Sequence, residues 1–209
     1  MIKVKPGPVV TKGIDISHHN GVVDFAQVKA AGFAFVFAKC SEYVEDSMFE
    51  HNRKEAKAQG LLFGAYHFWH PIKSIQKQVD LFLKYANPQP GDLLPVLDWE
   101  VTDSVASIAD RQAGLLWLDA VRSAIGGKNP IIYGAPYFLQ ALGLDQKTFA
   151  KYPLWIAHYG VSAPLVPPPW VNWSFWQNSE NGSVPGISGG GVDVDLFNGS
   201  PEDLKQVCI

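Results

Sequence analysis

Near the middle of the chain an apolar run, Leu93-Leu94-Pro95-Val96-Leu97, ends in Asp98-Trp99-Glu100, two acids separated by one aromatic residue. Side chains alternate along a strand, so Asp98 and Glu100 share one face and Trp99 takes the other. Two residues of strand rise set the acids roughly 6.6 Å apart along the backbone, close enough for their charges to couple. Like charges that are poorly solvated push one pKa upward, and one protonated acid beside one ionised acid is what cleavage of a glycosidic bond needs. A carbohydrate hydrolase is the sharp reading of this pair. A sheet end capped by solvated acids is the bland one, and an isolated D-x-E does not separate the two.

The surrounding elements shift that balance. Apolar, β-branched and aromatic runs predict strands over residues 13–17, 33–39, 61–69, 94–100 and 130–133, with helical periodicity over 25–31, 46–59, 75–86 and 109–125 between them. After a short helix at 137–142 the rhythm changes. Residues 154–159, 173–177 and 192–197 read as strands, but the Pro- and Gly-rich connections at 164–169 and 182–191 cannot supply crossover helices. Eight strands with helices only in the first five units predict an α/β, TIM-like barrel whose last third lacks helices. A doubly wound sheet is the alternative, but no Gly-rich phosphate loop follows the first strand.

In such a barrel reactive groups belong at the C-terminal strand ends. The first strand ends with Asp15, the second with Lys39 and then Glu42, the third with Tyr66 and His67, the fourth with Asp98 and Glu100, and the last with Asp193 and Asp195. So many acids at one rim, with so few cations, favour a functional over a structural network.

At 209 residues the chain suits one domain, with residues 1–11 as an N-terminal extension and 12–209 as the barrel. A net charge of −3 supplies no basic field for nucleic acid, so none is expected as a partner. No segment has the length of a membrane span, and residues 1–10, with Lys3, Lys5, Pro6 and Pro8, do not read as a secretory signal. Membrane insertion is not expected, and a monomer is. The two cysteines make neither a disulfide scaffold nor a metal site. Cys40 ends a strand and Cys208 is placed in the last turn of a terminal helix, at opposite rims, so both are expected as free thiols.

Taken in order, Gly13-Ile14-Asp15-Ile16-Ser17-His18, Phe35-Val36-Phe37-Ala38-Lys39-Cys40-Ser41-Glu42, Gly64-Ala65-Tyr66-His67-Phe68, Pro95-Val96-Leu97-Asp98-Trp99-Glu100, Pro130-Ile131-Ile132-Tyr133, Leu154-Trp155-Ile156-Ala157-His158-Tyr159, Phe175-Trp176-Gln177 and Val192-Asp193-Val194-Asp195-Leu196-Phe197 resemble the motifs of glycoside hydrolase family 25, the Chalaropsis-type lysozymes. The resemblance covers about residues 12 to 200. It implies a (β/α)5(β)3 barrel acting on bacterial peptidoglycan at the β-1,4 bond between N-acetylmuramic acid and N-acetylglucosamine. By the same resemblance Asp15, Asp98, Glu100 and Asp193 are the catalytic acids, with Glu100 the general acid. Asp98 then orients the substrate's own 2-acetamido group, a substrate-assisted departure from the two-carboxylate scheme. The charges of Asp98, Asp15 and Asp193 are expected to raise the proton affinity of Glu100.

Two positions depart from the family pattern. Cys40-Ser41-Glu42-Tyr43 stands where Ala-Thr-Glu-Gly is common, and Ala157-His158-Tyr159 where Ala-Arg-Tyr is common. Lys39, Glu42, Tyr66, Tyr133, Trp155, Tyr159, Trp176 and Asp195 are the candidate substrate-binding residues. For each aromatic, core packing is an equally valid reading. Adjacent His18 and His19, and His67 with His70, have poor spacing for chelation, so neither metal nor cofactor is expected. The alternatives to a muramidase are a chitinase-like glycosidase, a non-catalytic peptidoglycan-binding barrel, and zinc chemistry on the same polymer. The expected place of action is the cell wall, reached through a holin, by a dedicated secretion system, or by a chain trimmed of its leader.

Overall fold

The computed structural model describes residues 1–188 and 190–209. Eight strands close a barrel: β1 (Thr11–Ile16), β2 (Phe35–Ser41), β3 (Leu62–Phe68), β4 (Val96–Asp98), β5 (Ile131–Gly134), β6 (Leu154–Ala157), β7 (Phe175–Gly182) and β8 (Val192–Phe197). Strands β1 to β7 run parallel in sequence order, and β8 closes the ring between β7 and β1, antiparallel to both. Helices α1 (Phe25–Ala30), α2 (Phe49–Ala58), α3 (Ile75–Ala86), α4 (Ser107–Ala124) and α5 (Pro136–Leu142) follow the first five strands. This is the expected α/β barrel with helices missing from the last third. No described helix is long and apolar enough to cross a membrane.

Strand alternation splits the apolar residues into two cores. Phe35, Phe37, Tyr66, Val96, Tyr133, Trp155 and Phe175 point into the barrel, while Val36, Ala38, Phe63, Leu97, Trp99, Ile132 and Trp176 face the helices. Inside, Phe37 stacks on Trp155 (centroids 4.7 Å apart, 28° between planes) and meets Phe175 edge-on. A Cβ on Gly13 would lie 2.2 Å from the Phe35 ring, and one on Gly64 2.4 Å from Phe37, so these strands lack side chains where the rings need room. The result is a filled barrel rather than a pore.

Several boundaries differ from expectation, each for a local reason. β4 ends at Asp98 because the chain turns away after the Trp99 N–H bonds Tyr133 O, leaving Glu100 outside the strand. β7 runs on to Gly182 because the antiparallel partner β8 extends its ladder. Cys208 lies beyond the terminal helical turns, bridged to Leu93 at the barrel floor; it and Cys40 are buried free thiols. At the other terminus Ile2–Lys3 pairs with Leu165–Val166, and Val4 O accepts from Trp173 Nε1.

Helix α4 holds the segment carrying the acid pair. Fully buried Asp110 accepts hydrogen bonds from Trp99 Nε1 (3.0 Å) and Trp69 Nε1 (3.1 Å) through one oxygen. One helical turn later Gly114 leaves space for the Trp99 ring, since a Cβ there would lie 2.2 Å from it. Helix propensity favours alanine at a helical glycine by about 1 kcal/mol, but overpacking a closed core costs about 1–3 kcal/mol. We therefore expect Gly114→Ala to lower the urea midpoint of unfolding. A midpoint equal to or above that of the parent would show that Trp99 is not wedged.

Candidate active site

Because β1 to β7 are parallel, their C-terminal ends open on one rim. β8 reaches that rim by running the other way, so its first residues arrive there and not its last. Asp193 sits opposite Asp15, and Asp195 lies opposite Gly13, two residues deeper. The expectation that Asp193 and Asp195 close the last strand is therefore corrected: they lie near its start, and only the reversal delivers them to the acids.

A cleft of about 340 Å³ opens at this rim. It gathers nine of the candidate residues, Asp15, Lys39, Tyr66, Asp98, Glu100, Tyr133, Trp155, Tyr159 and Asp193, together with Ser17, His19, Phe68, Gln177 and Glu180. Three candidates lie outside it. Asp195 is fully buried beneath, accepting from Trp155 Nε1 at 2.8 Å. Glu42 stands behind Lys39, bonded to its Nζ at 2.5 Å. Trp176 faces the outer core, where its Nε1 donates to His158 O (2.8 Å) and its ring meets Trp173 edge-on. Alternation in the Phe175-Trp176-Gln177 run turns the tryptophan out and its neighbours in.

That parity brings in Gln177, which the motif reading passed over. Its Nε2 donates to Asp15 Oδ2 at 2.6 Å, and its Oε1 accepts from Tyr133 (2.7 Å) and Tyr159 (2.5 Å) hydroxyls. One amide thus ties an acid on β1 to phenols on β5 and after β6. The histidines are also placed: His67 lies in the outer core between Ser41 Oγ and Gln78 Oε1, with burial pushing it down to about 4, and His18 Nδ1 meets Asp46 at 2.7 Å.

Burial is the largest influence on these acids. It raises Asp98 well above the usual carboxylate range, aided by the charge of Glu100 and a hydrogen bond with it, while Lys39 pulls the other way. Within the pair, the deeper Asp98 takes this upward push, whereas Glu100 stands exposed at the mouth. Asp15 is raised by burial and then by Asp195 and Asp193, partly offset by the Gln177 hydrogen bond. Asp193 is raised to about 6 by burial, Glu180 and Glu100. Burial also raises Tyr66, Tyr133 and Tyr159, which remain phenol donors. Such a cleft can hold a neutral polar chain, lend it a proton, and stabilise positive charge that develops on it.

Comparison with known proteins follows the same line. The family model described as glycosyl hydrolases family 25 matches residues 14–187. The chain is 36% identical to Lysozyme M1 of Streptomyces globisporus, over 97% of this chain and 74% of that protein. It is 30% identical to the N,O-diacetylmuramidase of Arthroderma benhamiae, over 93% and 85% respectively. The crystal structure of the bacterial lysozyme from Streptomyces coelicolor superposes with a TM-score of 0.89 at 31% identity, covering 97% of this chain and 98% of that one.

The electrostatics of Asp193 can be read directly. Carbon-detected NMR should show its carboxyl titrating near pH 6, against an ordinary value of about 3.9, and Glu180→Gln should move the midpoint down. The folded state then holds this proton more tightly than the unfolded one, so its contribution to stability is present below about pH 4 and lost as pH rises through about 6. A midpoint near 4, insensitive to Glu180, would contradict the burial and charge coupling described.

Proposed function

This chain belongs to glycosyl hydrolase family 25, and from that premise we propose that it is a peptidoglycan muramidase cutting the β-1,4 bond between N-acetylmuramic acid and N-acetylglucosamine. The observation that carries the reading is the placing of Asp98 and Glu100 together in the wall of an acid-lined cleft, the first buried and the second exposed.

Two neighbouring carboxyls repel each other's charge, and the one with less water around it keeps a proton more readily. With water over Glu100, the buried Asp98 keeps it. A sugar laid across the cleft strips that water, and the proton moves toward Glu100, which donates it to the glycosidic oxygen. The ionised Asp98 left behind is the natural partner for the substrate's 2-acetamido N–H. Asp98 Oδ1 is buried and receives no N–H or hydroxyl donor from the described residues, so an acceptor is open for it. Fixed in this way, the acetamido oxygen attacks the anomeric carbon, and a water later opens the resulting ring.

Asp15 and Asp193 complete the roles. Their carboxyls face the space where positive charge develops, and Gln177 holds Asp15 in place. Tyr66 offers a hydroxyl to the sugar, Tyr133 and Tyr159, whose protons go to Gln177, offer lone pairs, Trp155 offers an edge, and Lys39 shapes one wall. Asp195 and Glu42 act from behind, on Trp155 and Lys39. The place of action is the bacterial cell wall.

Purified protein should release soluble fragments from peptidoglycan whose new reducing ends are N-acetylmuramic acid by mass spectrometry. New N-acetylglucosamine ends, or freed stem peptides on intact glycan, would sink the assignment. Glu100→Gln should lower turnover by on the order of a hundredfold or more with fold and sugar binding retained, and Asp98→Asn should be comparably severe. Near-normal turnover in Glu100→Gln would remove the mechanism whatever the substrate.

A further inference from the structure

Behind Lys39 lies a charge cluster of which the proposed chemistry uses only Glu42. Three loops leaving neighbouring strands meet there. Glu42 follows β2, His70 follows β3, and Asp103 belongs to the segment after β4 that includes Glu100. His70 Nε2 lies 2.9 Å from Glu42 Oε1, and its Nδ1 lies 2.9 Å from Asp103 Oδ2, with the Tyr43 hydroxyl 3.1 Å from Nδ1. A neutral imidazole has a single N–H and can donate to only one carboxylate; the imidazolium donates to both.

The ring is held in place from several sides. Tyr43 stacks on it at 4.4 Å and 25°, and Phe68 flanks it at 5.2 Å. Its own backbone is fixed by Gln78, which accepts from His70 N–H at 3.1 Å and donates to His70 O at 3.0 Å. The charged groups around it are Glu42 and Asp103 in direct contact, Lys39 reached through the other oxygen of Glu42, and Lys73 over the Tyr43 ring at 5.2 Å.

Both carboxylates lead to the cleft. Asp103 and the following Ser104 have φ of +47° and +64°, left-handed backbone that side-chain-bearing residues adopt at a cost. A segment bent in this way needs a tether to keep its shape, and His70 is the side chain that grips it. Glu42, in turn, fixes Lys39 Nζ, which lines the cleft and lies 4.9 Å from the Phe68 ring centroid. Burial works against the Glu42 carboxylate, but hydrogen bonds from Lys39 and His70 outweigh it and hold the group ionised.

We propose that His70 is a positioning residue for the glycosidase reaction: through Asp103 it holds the Glu100-bearing segment in register with Asp98, and through Glu42 it holds Lys39 on the cleft wall. Its effect on turnover rests on the muramidase reading; its effect on the segment does not. Misplacing a proton donor by about 1 Å costs up to a hundredfold in rate, so a partial release is worth on the order of tenfold.

The test compares His70→Gln, whose single amide cannot span both carboxylates, with His70→Arg, which is cationic and can donate on two sides. For each, kcat and KM on peptidoglycan, thermal midpoint and amide hydrogen exchange of residues 99–106 are measured. His70→Gln should lower kcat about tenfold with KM changed less than about threefold, and speed exchange in 99–106. His70→Arg should restore most of both. Asp103→Asn should reproduce the kcat loss, and the double variant should add little to it, as expected for two ends of one clamp. This pair keeps the test open if His70→Gln proves poorly folded. Unchanged exchange of 99–106 in His70→Gln and Asp103→Asn overturns the proposal, as does a kcat loss that simply adds in the double variant. A parent enzyme that leaves peptidoglycan intact overturns the muramidase reading alone, because the exchange measurement still reports on the clamp.

Discussion

The acids of the cleft stand on a floor of aromatic rings, and the chemistry of the site follows from that. Phe35, Phe37, Trp155 and Phe175 fill the barrel beneath the rim and close it to water from below. A carboxyl set on such a floor is solvated from one side only, and its charged form is correspondingly disfavoured. Proton affinity in the cleft is therefore created by packing far more than by any one neighbour. The residues that look least chemical, the phenylalanines and the glycines that make room for them, raise the proton affinity of the acids that stand above them.

A site made in this way carries a cost, because crowding acids over an apolar floor destabilises the fold. The hydrogen bonds around them limit that cost. Gln177 joins Asp15 to two tyrosines, Trp155 donates to Asp195, and Asp110 collects two indoles beneath the acid pair. Each spends a neutral donor on a carboxylate, so the acids are held in place without a cation that would strip them of their protons. Lys39 is the exception at the cleft wall, and Glu42 takes up much of its charge.

Much of this was legible in the residues. Their positions at the ends of the first and fourth strands placed Asp15 and Asp98 at one rim, and the loss of helical periodicity after residue 142 marked the degenerate third of the barrel. Other features were not legible, for physical reasons. A period-two pattern reads the same in both directions, so nothing in Val192–Phe197 announces that it runs antiparallel. Trp176 attracted attention as an aromatic, although parity in its own strand assigns the inward place to Gln177. The placing of Glu42, His70 and Asp103 in one cluster depends on how three loops fold over one another, and loop conformation leaves little trace in composition.

The reversal of β8 also bears on how the molecule comes into being. A chain made from its N-terminus builds β1 first and presents it as an open edge until residues 192–197 emerge, since these pair with it directly. Ring closure is thus a contact between the beginning and the end of the fold, the slowest kind to form because the loop it closes is nearly the whole barrel. The same event brings Asp193 against Asp15 and completes the acid rim. Until the last strand docks the cleft lacks the Asp193 carboxyl and β1 has one edge unpaired, so closure of the barrel and completion of the acid rim are one step in time.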